Sequence, residues 1–179
     1  DNITQNMDRF EQICDQIRKL GHKNLRITTQ ASPLGFAQRP DVVKKMVEAR
    51  IVNVFLGIEN VSKPNLRMMQ KPNTVELIRK GVRALQNGGV SVAGGIINGL
   101  RHDDMDCLSE NYEFMRELGI NSVMDQLMTP YPSTEVRQQL LAEGRVRNAD
   151  DFRWYDGYFA NVATDHYDPA ELNFLRWRL

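Results

Sequence analysis

The chain has 179 residues, 41% of them hydrophobic, and its 23 basic and 23 acidic side chains cancel. That length supports one sizeable core, and the lack of net charge removes any general pull toward nucleic acid or an anionic membrane. No apolar run approaches the about 20 residues of a membrane span, and Cys14 and Cys107, its two cysteines, are too few and too distant to form a metal motif alone.

Asp1 to Asn6 is polar and reads as a strand end running into a helix cap. Phe10, Ile13, Cys14, Ile17 and Leu20 then recur at helical spacing, with Gly21 as the stop. Asn24 to Gln30 alternates Leu25 and Ile27 with polar residues and predicts a strand. Pro40-Asp41 opens a helix carrying Val42, Val43, Met46 and Val47. Val52 to Ile58 is a short, nearly continuous apolar run rich in β-branched residues. It predicts a strand buried on both faces, ending at Glu59.

Ser62 caps a short helix with Leu66, Met68 and Met69, and Thr74 starts a longer one stopped by Gly88-Gly89. Val90 to Asn98 is the next strand. Asp103 and Asp104 stand at a helix start, where negative charge meets the positive dipole end. Asn121 to Met128 is a further strand, and Ser133 or Thr134 opens a helix closed by Gly144. Trp154, Tyr155, Tyr158 and Phe159 form an aromatic segment. Asp168-Pro169 then starts a final helix, which Leu172, Phe174, Leu175 and Trp177 are expected to bury.

Strand and helix alternate in units of roughly 30 to 35 residues, which implies parallel strands and right-handed crossovers. An α/β fold follows, best read as an incomplete, TIM-like β/α barrel, with an open doubly wound sheet second. Residues 1–148 form the barrel part and 149–179 a C-terminal helical extension. In such folds the carboxyl ends of the strands carry the site. Asp1-Asn2, Thr29-Gln30, Glu59-Asn60, Gly95-Ile96-Ile97-Asn98-Gly99 and Pro130-Tyr131-Pro132 all fall there. Acids, amides, an aromatic and backbone bared by glycine suit a polar ligand with sugar and ring parts. A carboxylate such as Glu59 can accept from two ribose hydroxyls.

Taken together, Asp1-Asn2-Ile3-Thr4, then Gly57-Ile58-Glu59-Asn60-Val61-Ser62 with Leu66 and Lys71, then Gly95 to Gly99, then Leu127 to Thr134 resemble the radical S-adenosylmethionine superfamily. The similarity covers about residues 1–135. It points to the branch of methyltransferases and anaerobic magnesium-protoporphyrin ester cyclases, which often carries a cobalamin-binding domain.

The resemblance implies S-adenosylmethionine as cofactor and a small organic molecule as second substrate. Asp1 and Asn2 would meet the methionine amino group, and Glu59 the ribose. Gly95, Ile97 and Gly99 would pack on the adenine, and the Pro130-Tyr131 turn would lie near it. Gln30 and Gln126 are weaker candidates on the same rim. The family's CxxxCxxC, which holds an iron–sulfur cluster, is not in this sequence, so the resemblance places the cluster ligands, and the chain's main partner, in an N-terminal part of a longer protein. Cobalamin is allowed there too, and the chain alone should have no radical activity. Where the family often has Pro and Glu after the glycines, this chain has Arg101, His102, Asp103 and Asp104.

Simpler roles cover most other residues. The cysteines read as reduced buried thiols of a cytosolic protein, and the methionines at helical spacing as core. The charges of Arg137, Arg145, Arg147, Asp150 and Asp151 read as a solvated surface. His22 reads as a loop residue and His166 as part of a helix cap, while His102 is on the site rim. A barrel aldolase or hydrolase lacks a strand-end Lys or a Ser/His/Asp set. A nucleotide-binding or interaction module without radical chemistry remains the non-enzymatic alternative. No Walker motif and no GxGxxG is present.

Overall fold

A computed structural model describes residues 2–69 and 74–179. Among the described residues the helices are α1 (Met7–Lys19), α2 (Pro33–Gln38), α3 (Val42–Glu48), α4 (Lys63–Met68), α5 (Val75–Asn87), α6 (Met105–Glu117), α7 (Glu135–Ala142) and α8 (Pro169–Arg178). The strands are β1 (Ile27–Ala31), β2 (Ile51–Glu59), β3 (Ser91–Asn98) and β4 (Ser122–Leu127). They form one parallel, unclosed sheet in the order β1-β2-β3-β4. A sheet that grows in one direction is an arc of a barrel; a doubly wound sheet reverses direction at a switch point. The barrel reading therefore holds and the doubly wound one does not.

Several helices start at a side-chain cap, whereas Asp41 before α3 and Ser62 before α4, the latter expected to cap its helix, make no cap hydrogen bond. Asn6 Oδ1 accepts from Arg9 N at 2.9 Å, Thr74 Oγ1 from Leu77 N at 3.2 Å, and Thr134 Oγ1 from Arg137 N at 3.2 Å. Asp168 and Glu171 form a reciprocal capping box with Pro169 at the first helical position. Two local features differ from expectation. Ile3–Gln5 is a short 3-10 turn capped by Asn2, so the described part of the N-terminal stretch is not a strand. The unexpected α2 follows Ser32-Pro33, the same cap-then-proline signal as at α8, obscured by its six-residue length and internal Gly35.

The chain forms two compact units. The first comprises the described residues of stretches 1–59, 71–95 and 115–124. Phe10 and Cys14, one turn apart on α1, are buried there with Phe36, Met46, Val54, Leu56, Ile58 and Leu85. Phe10 meets Phe36 edge to face at 6.3 Å. Arg39 binds Asp8, Glu11 and Asp41 at 2.8–3.0 Å, tying α1 to the start of α3.

The α5 helix buries Ile78, Gly81, Val82 and Leu85, positions i, i+3, i+4 and i+7. A Cβ at Gly81 would stand 2.2 Å from the carbonyl oxygen of Pro33, a backbone atom that cannot rotate away. Ala adds up to about 1 kcal/mol of helix propensity, whereas overpacking costs roughly 1–3 kcal/mol. With a rigid backbone atom in the way the upper part of that range applies, so Gly81→Ala is expected to lower stability by about 1–2 kcal/mol net, or roughly 2–8 °C in melting temperature. An unchanged melting temperature would mean that α2 retreats freely.

The second unit comprises the described residues of 60–70, 96–114 and 125–179. Leu108, Leu127, Ala160 and Leu172 form its apolar cluster, with Tyr167 and Leu175 packed against it. An antiparallel bridge joins Val146 to Val162. The expected burial of α8 is only half met. Leu172 is buried, whereas Phe174 and Trp177 are 56% and 82% exposed, because their positions turn away from that cluster. Likewise Met115 is buried as expected, but Met68 is exposed.

Candidate functional site

Strand β2 alternates. Val54, Leu56 and Ile58 are buried, while Asn53, Phe55, Gly57 and Glu59 on the other face are half-buried. The apolar run is thus covered on one face only, because the sheet does not close. Phe55, Gly57 and Glu59 line a cleft of about 750 Å³ at the carboxyl ends of β1 and β2, opposite Gln30, Ser32 and Arg39. Gln30 stands beside Phe55 in the parallel register.

Two backbone features shape the cleft wall. Glu59 has φ +71°, a left-handed conformation that few non-glycine residues adopt and that occurs where the surroundings enforce it. Its carboxylate lies back over Gly57: a Cβ there would stand 2.6 Å from Glu59 Oε1. The Gly-Ile-Glu spacing thus bares a patch of strand two residues before an acid, and the acid folds onto it.

The Asn2 Oδ1 accepts from Thr4 N at 3.0 Å, Thr4 Oγ1 at 2.6 Å and Ser32 N at 3.0 Å. Asn2 lines the cleft, but this oxygen is engaged in tying the N-terminal turn to the start of α2. Asp1 and Lys71 lie outside the described residues. Gly95 closes the first unit's part of β3, with the tip of the Phe55 ring over its Cα.

The other predicted positions belong to the second unit. The Ile97 carbonyl accepts from Asn60 Nδ2 at 3.2 Å. Gly99 has φ +77°, which favours glycine in the turn that leaves β3. Asp103, expected at a helix start, is fully buried. Its carboxylate accepts from Leu100 N at 2.9 Å and Asn65 Nδ2 at 2.6 Å, so it fastens that turn. Burial pushes the Asp103 pKa up, against the lowering effect of these donors.

Gln126 packs against Gly157, whose carbonyl accepts from Leu127 N at 2.7 Å. Pro130 is buried and Tyr131 is 51% exposed. His102 pairs with Asp165 at 3.0 Å, within a group that also holds Arg101, Glu143 and Arg145.

Three features were not legible from the residues in order. Asn60 and Asn98 follow or end strands on the expected rim, yet both are buried ties. Asn98 Oδ1 accepts from Asn111 Nδ2 at 2.8 Å, and Asn98 Nδ2 donates to Asp125 Oδ1 at 2.9 Å. Asp125 Oδ2 also receives Tyr112 OH at 2.5 Å and Arg176 Nε at 2.7 Å. Arg137 is not solvated surface: it donates to the Pro130 carbonyl at 3.1 Å and to Tyr155 OH at 2.9 Å, and lies 5.4 Å from the Phe152 ring centre. The aromatic segment is accordingly built into the loop after β4. No local spacing links residues 98, 112, 125 and 176, or 137 and 152.

Among the described residues no group of three or more His, Cys, Asp or Glu side chains could hold a metal ion. Cys14 is buried and Cys107 half-buried, and both are free thiols. The residues present do not fit an iron–sulfur cluster. They do fit a ribose-bearing ligand, because a carboxylate is held on the cleft wall above bared backbone. Among the described residues no helix is long and apolar enough to cross a membrane.

A parallel sheet wound in one direction, with its cleft at the carboxyl ends, defines the class as a partial β/α barrel. No family model matches the chain. It is 24% identical over 138 residues to bacteriochlorophyllide d C-8(2)-methyltransferase of Chlorobaculum tepidum, covering 76% of this chain and 30% of that protein. It is 30% identical over 128 residues to hopanoid C-2 methylase of Rhodopseudomonas palustris, covering 71% and 24%. Against the anaerobic magnesium-protoporphyrin IX monomethyl ester cyclase of Rubrivivax gelatinosus it is 26% identical over 125 residues, covering 70% and 22%. The chain thus spans between about a fifth and a third of the length of these relatives.

Among solved structures, a radical S-adenosylmethionine methyltransferase, TsrM, from Kitasatospora setae matches with TM-score 0.67 at 14% identity, over 98% of this chain and 36% of that one. That structure holds cobalamin and a 4Fe-4S cluster. The coproporphyrinogen III oxidase of Escherichia coli, also a radical S-adenosylmethionine enzyme, matches with TM-score 0.62 at 15% identity, over 75% and 31%. The chain is thus similar in sequence to these methyltransferases and to the magnesium-protoporphyrin cyclase, and it shares its fold with radical S-adenosylmethionine enzymes.

Proposed function

We propose that this chain supplies the S-adenosylmethionine-binding wall of a radical enzyme that methylates or oxidatively cyclises a small organic substrate. The observation that carries the reading is the Glu59 carboxylate, held on the cleft wall over Gly57 by a left-handed backbone. In this reading Glu59 accepts from the ribose hydroxyls, and Gln30 lines the same cleft. Asp1 and Asn2 take the methionine side as the family resemblance implies. In the second unit Ile97, Gly99, Gln126, Pro130 and Tyr131 keep the adenine-side and rim roles implied by the same resemblance. When bound, S-adenosylmethionine supplies radical chemistry once an iron–sulfur cluster, held by residues outside this chain, delivers an electron. This chain's own residues bind and orient it. Cobalamin would come from another part of the same protein.

The test uses the full natural protein, reconstituted anaerobically with iron, sulfide and reductant. Release of 5′-deoxyadenosine from S-adenosylmethionine is the expected result, with none from the 179-residue chain alone. Binding of S-adenosylmethionine without release, despite a cluster of the right spectrum, would favour a nucleoside-binding module. Neither binding nor release would reduce the kinship to shared architecture.

A further inference from the structure

The space over Gly95 is already taken. A Cβ built there would stand 2.6 Å from Cζ of Phe55 and 3.3 and 3.5 Å from Cε1 and Cε2. The two ε carbons are nearly equidistant, so the ring meets the glycine with its para edge. Phe55 precedes Gly57 by two residues and Glu59 by four, on the same half-buried face of β2, and it lines the same cleft. Among the described residues that line the cleft, its ring is the only aromatic side chain.

We propose that Phe55 is the floor of the cleft and sets the depth at which a planar heteroaromatic ring, of the purine class, comes to rest. Gly95 is the seat of the Phe55 ring rather than a contact for the ligand. The ligand part of this inference rests on the proposed function; the seat itself does not. An aromatic ring offers an apolar face to another ring at 4.5–7 Å between centres, and its tip cannot bend out of plane to escape a new methyl group. A side chain at Gly95 would therefore turn Phe55 about its Cα–Cβ bond into the cleft. Phe55→Leu removes the tip that makes the clash.

The test is a double-mutant cycle on Gly95→Ala and Phe55→Leu in the full natural protein, with two readouts. The first is the melting temperature without ligand. Gly95→Ala is expected to lower it by several degrees in the parent and by little in the Phe55→Leu background; only this non-additive part is read, so a cost of Phe55→Leu itself does not matter. The second is the dissociation constant of S-adenosylmethionine. Gly95→Ala is expected to weaken binding about tenfold in the parent, as an overpacked site would, and less than about threefold in the Phe55→Leu background. Additive melting temperatures would overturn the seat. An equal affinity loss in both backgrounds would mean that Gly95 touches the ligand directly, and would overturn the floor. If the parent does not bind S-adenosylmethionine at all, the proposed function fails, while the ligand-free cycle still decides the seat.

Discussion

Asp125→Ala is expected to destabilise the chain by about 3 kcal/mol, or roughly 6–12 °C in melting temperature. Asp125 receives Arg176 Nε at 2.7 Å, Tyr112 OH at 2.5 Å and Asn98 Nδ2 at 2.9 Å. Its removal leaves the Tyr112 hydroxyl and Arg176 Nε without this acceptor, while Asn98 Nδ2 keeps Tyr112 OH at 3.3 Å and Arg176 Nη2 keeps the Asp125 carbonyl at 3.0 Å. Breaking a buried ion pair on one side costs about 3–5 kcal/mol, because the surviving charge stays desolvated. The lower end applies, since the Asp125 side chain is 14% exposed and that of Arg176 27%, so water can partly replace the carboxylate. Tyr112→Phe removes two bonds of the same group, the one to Asp125 and the longer one from Asn98 Nδ2, and should cost about 1–2 kcal/mol. Thermal melting of the three proteins is the check. An Asp125→Ala melting temperature within a degree of the parent would show that these bonds contribute no net stability.

Glu59→Gln is expected to weaken S-adenosylmethionine binding by about 10- to 100-fold, since hydrogen bonds to a charged acceptor contribute roughly 1.5–3 kcal/mol. Gly57→Ala separates position from charge. Among the described residues the new Cβ would meet Glu59 Oε1 at 2.6 Å and the Glu59 Cδ at 3.4 Å. Those atoms are the far end of a flexible side chain, so the clash falls on the carboxylate and not on the backbone. Gly57→Ala is therefore expected to melt within a few degrees of the parent yet bind about tenfold more weakly. Combined with Glu59→Gln it should add little further loss. Isothermal titration of the full natural protein would measure this. Unchanged affinity in Glu59→Gln would remove the ribose role, and full additivity would show that Gly57 and Glu59 act separately.

The resemblance to radical S-adenosylmethionine enzymes was legible because its signals are short and ordered. Glu59 and the glycines at 95 and 99 follow their strands at recognisable spacing, and the strand–helix alternation implied the parallel sheet that the structure contains. The burial of β2 was misread because an apolar run records that a strand is hydrophobic, not how many of its faces are covered. The same limit applies to Phe174 and Trp177, which are apolar on a helix that buries only one narrow side. Asn60 and Asn98 read as rim residues because strand ends favour sites, and Asp103 reads as a helix start. Their side chains instead fasten the loops there, which only partners distant in sequence reveal.

By itself the sequence determined most of the elements, the parallel strands and the family resemblance, because these depend on nearest neighbours along the chain: helical spacing, a cap beside its own first turn, a glycine two residues before an acid. The tertiary structure alone decided which face of β2 opens on the cleft and that Asp125 gathers residues from β3, α6 and α8. It also decided that Phe55, not open space, lies over Gly95. Those outcomes are set by close packing between side chains dozens of residues apart, and spacing along a chain carries no record of which distant atoms will touch.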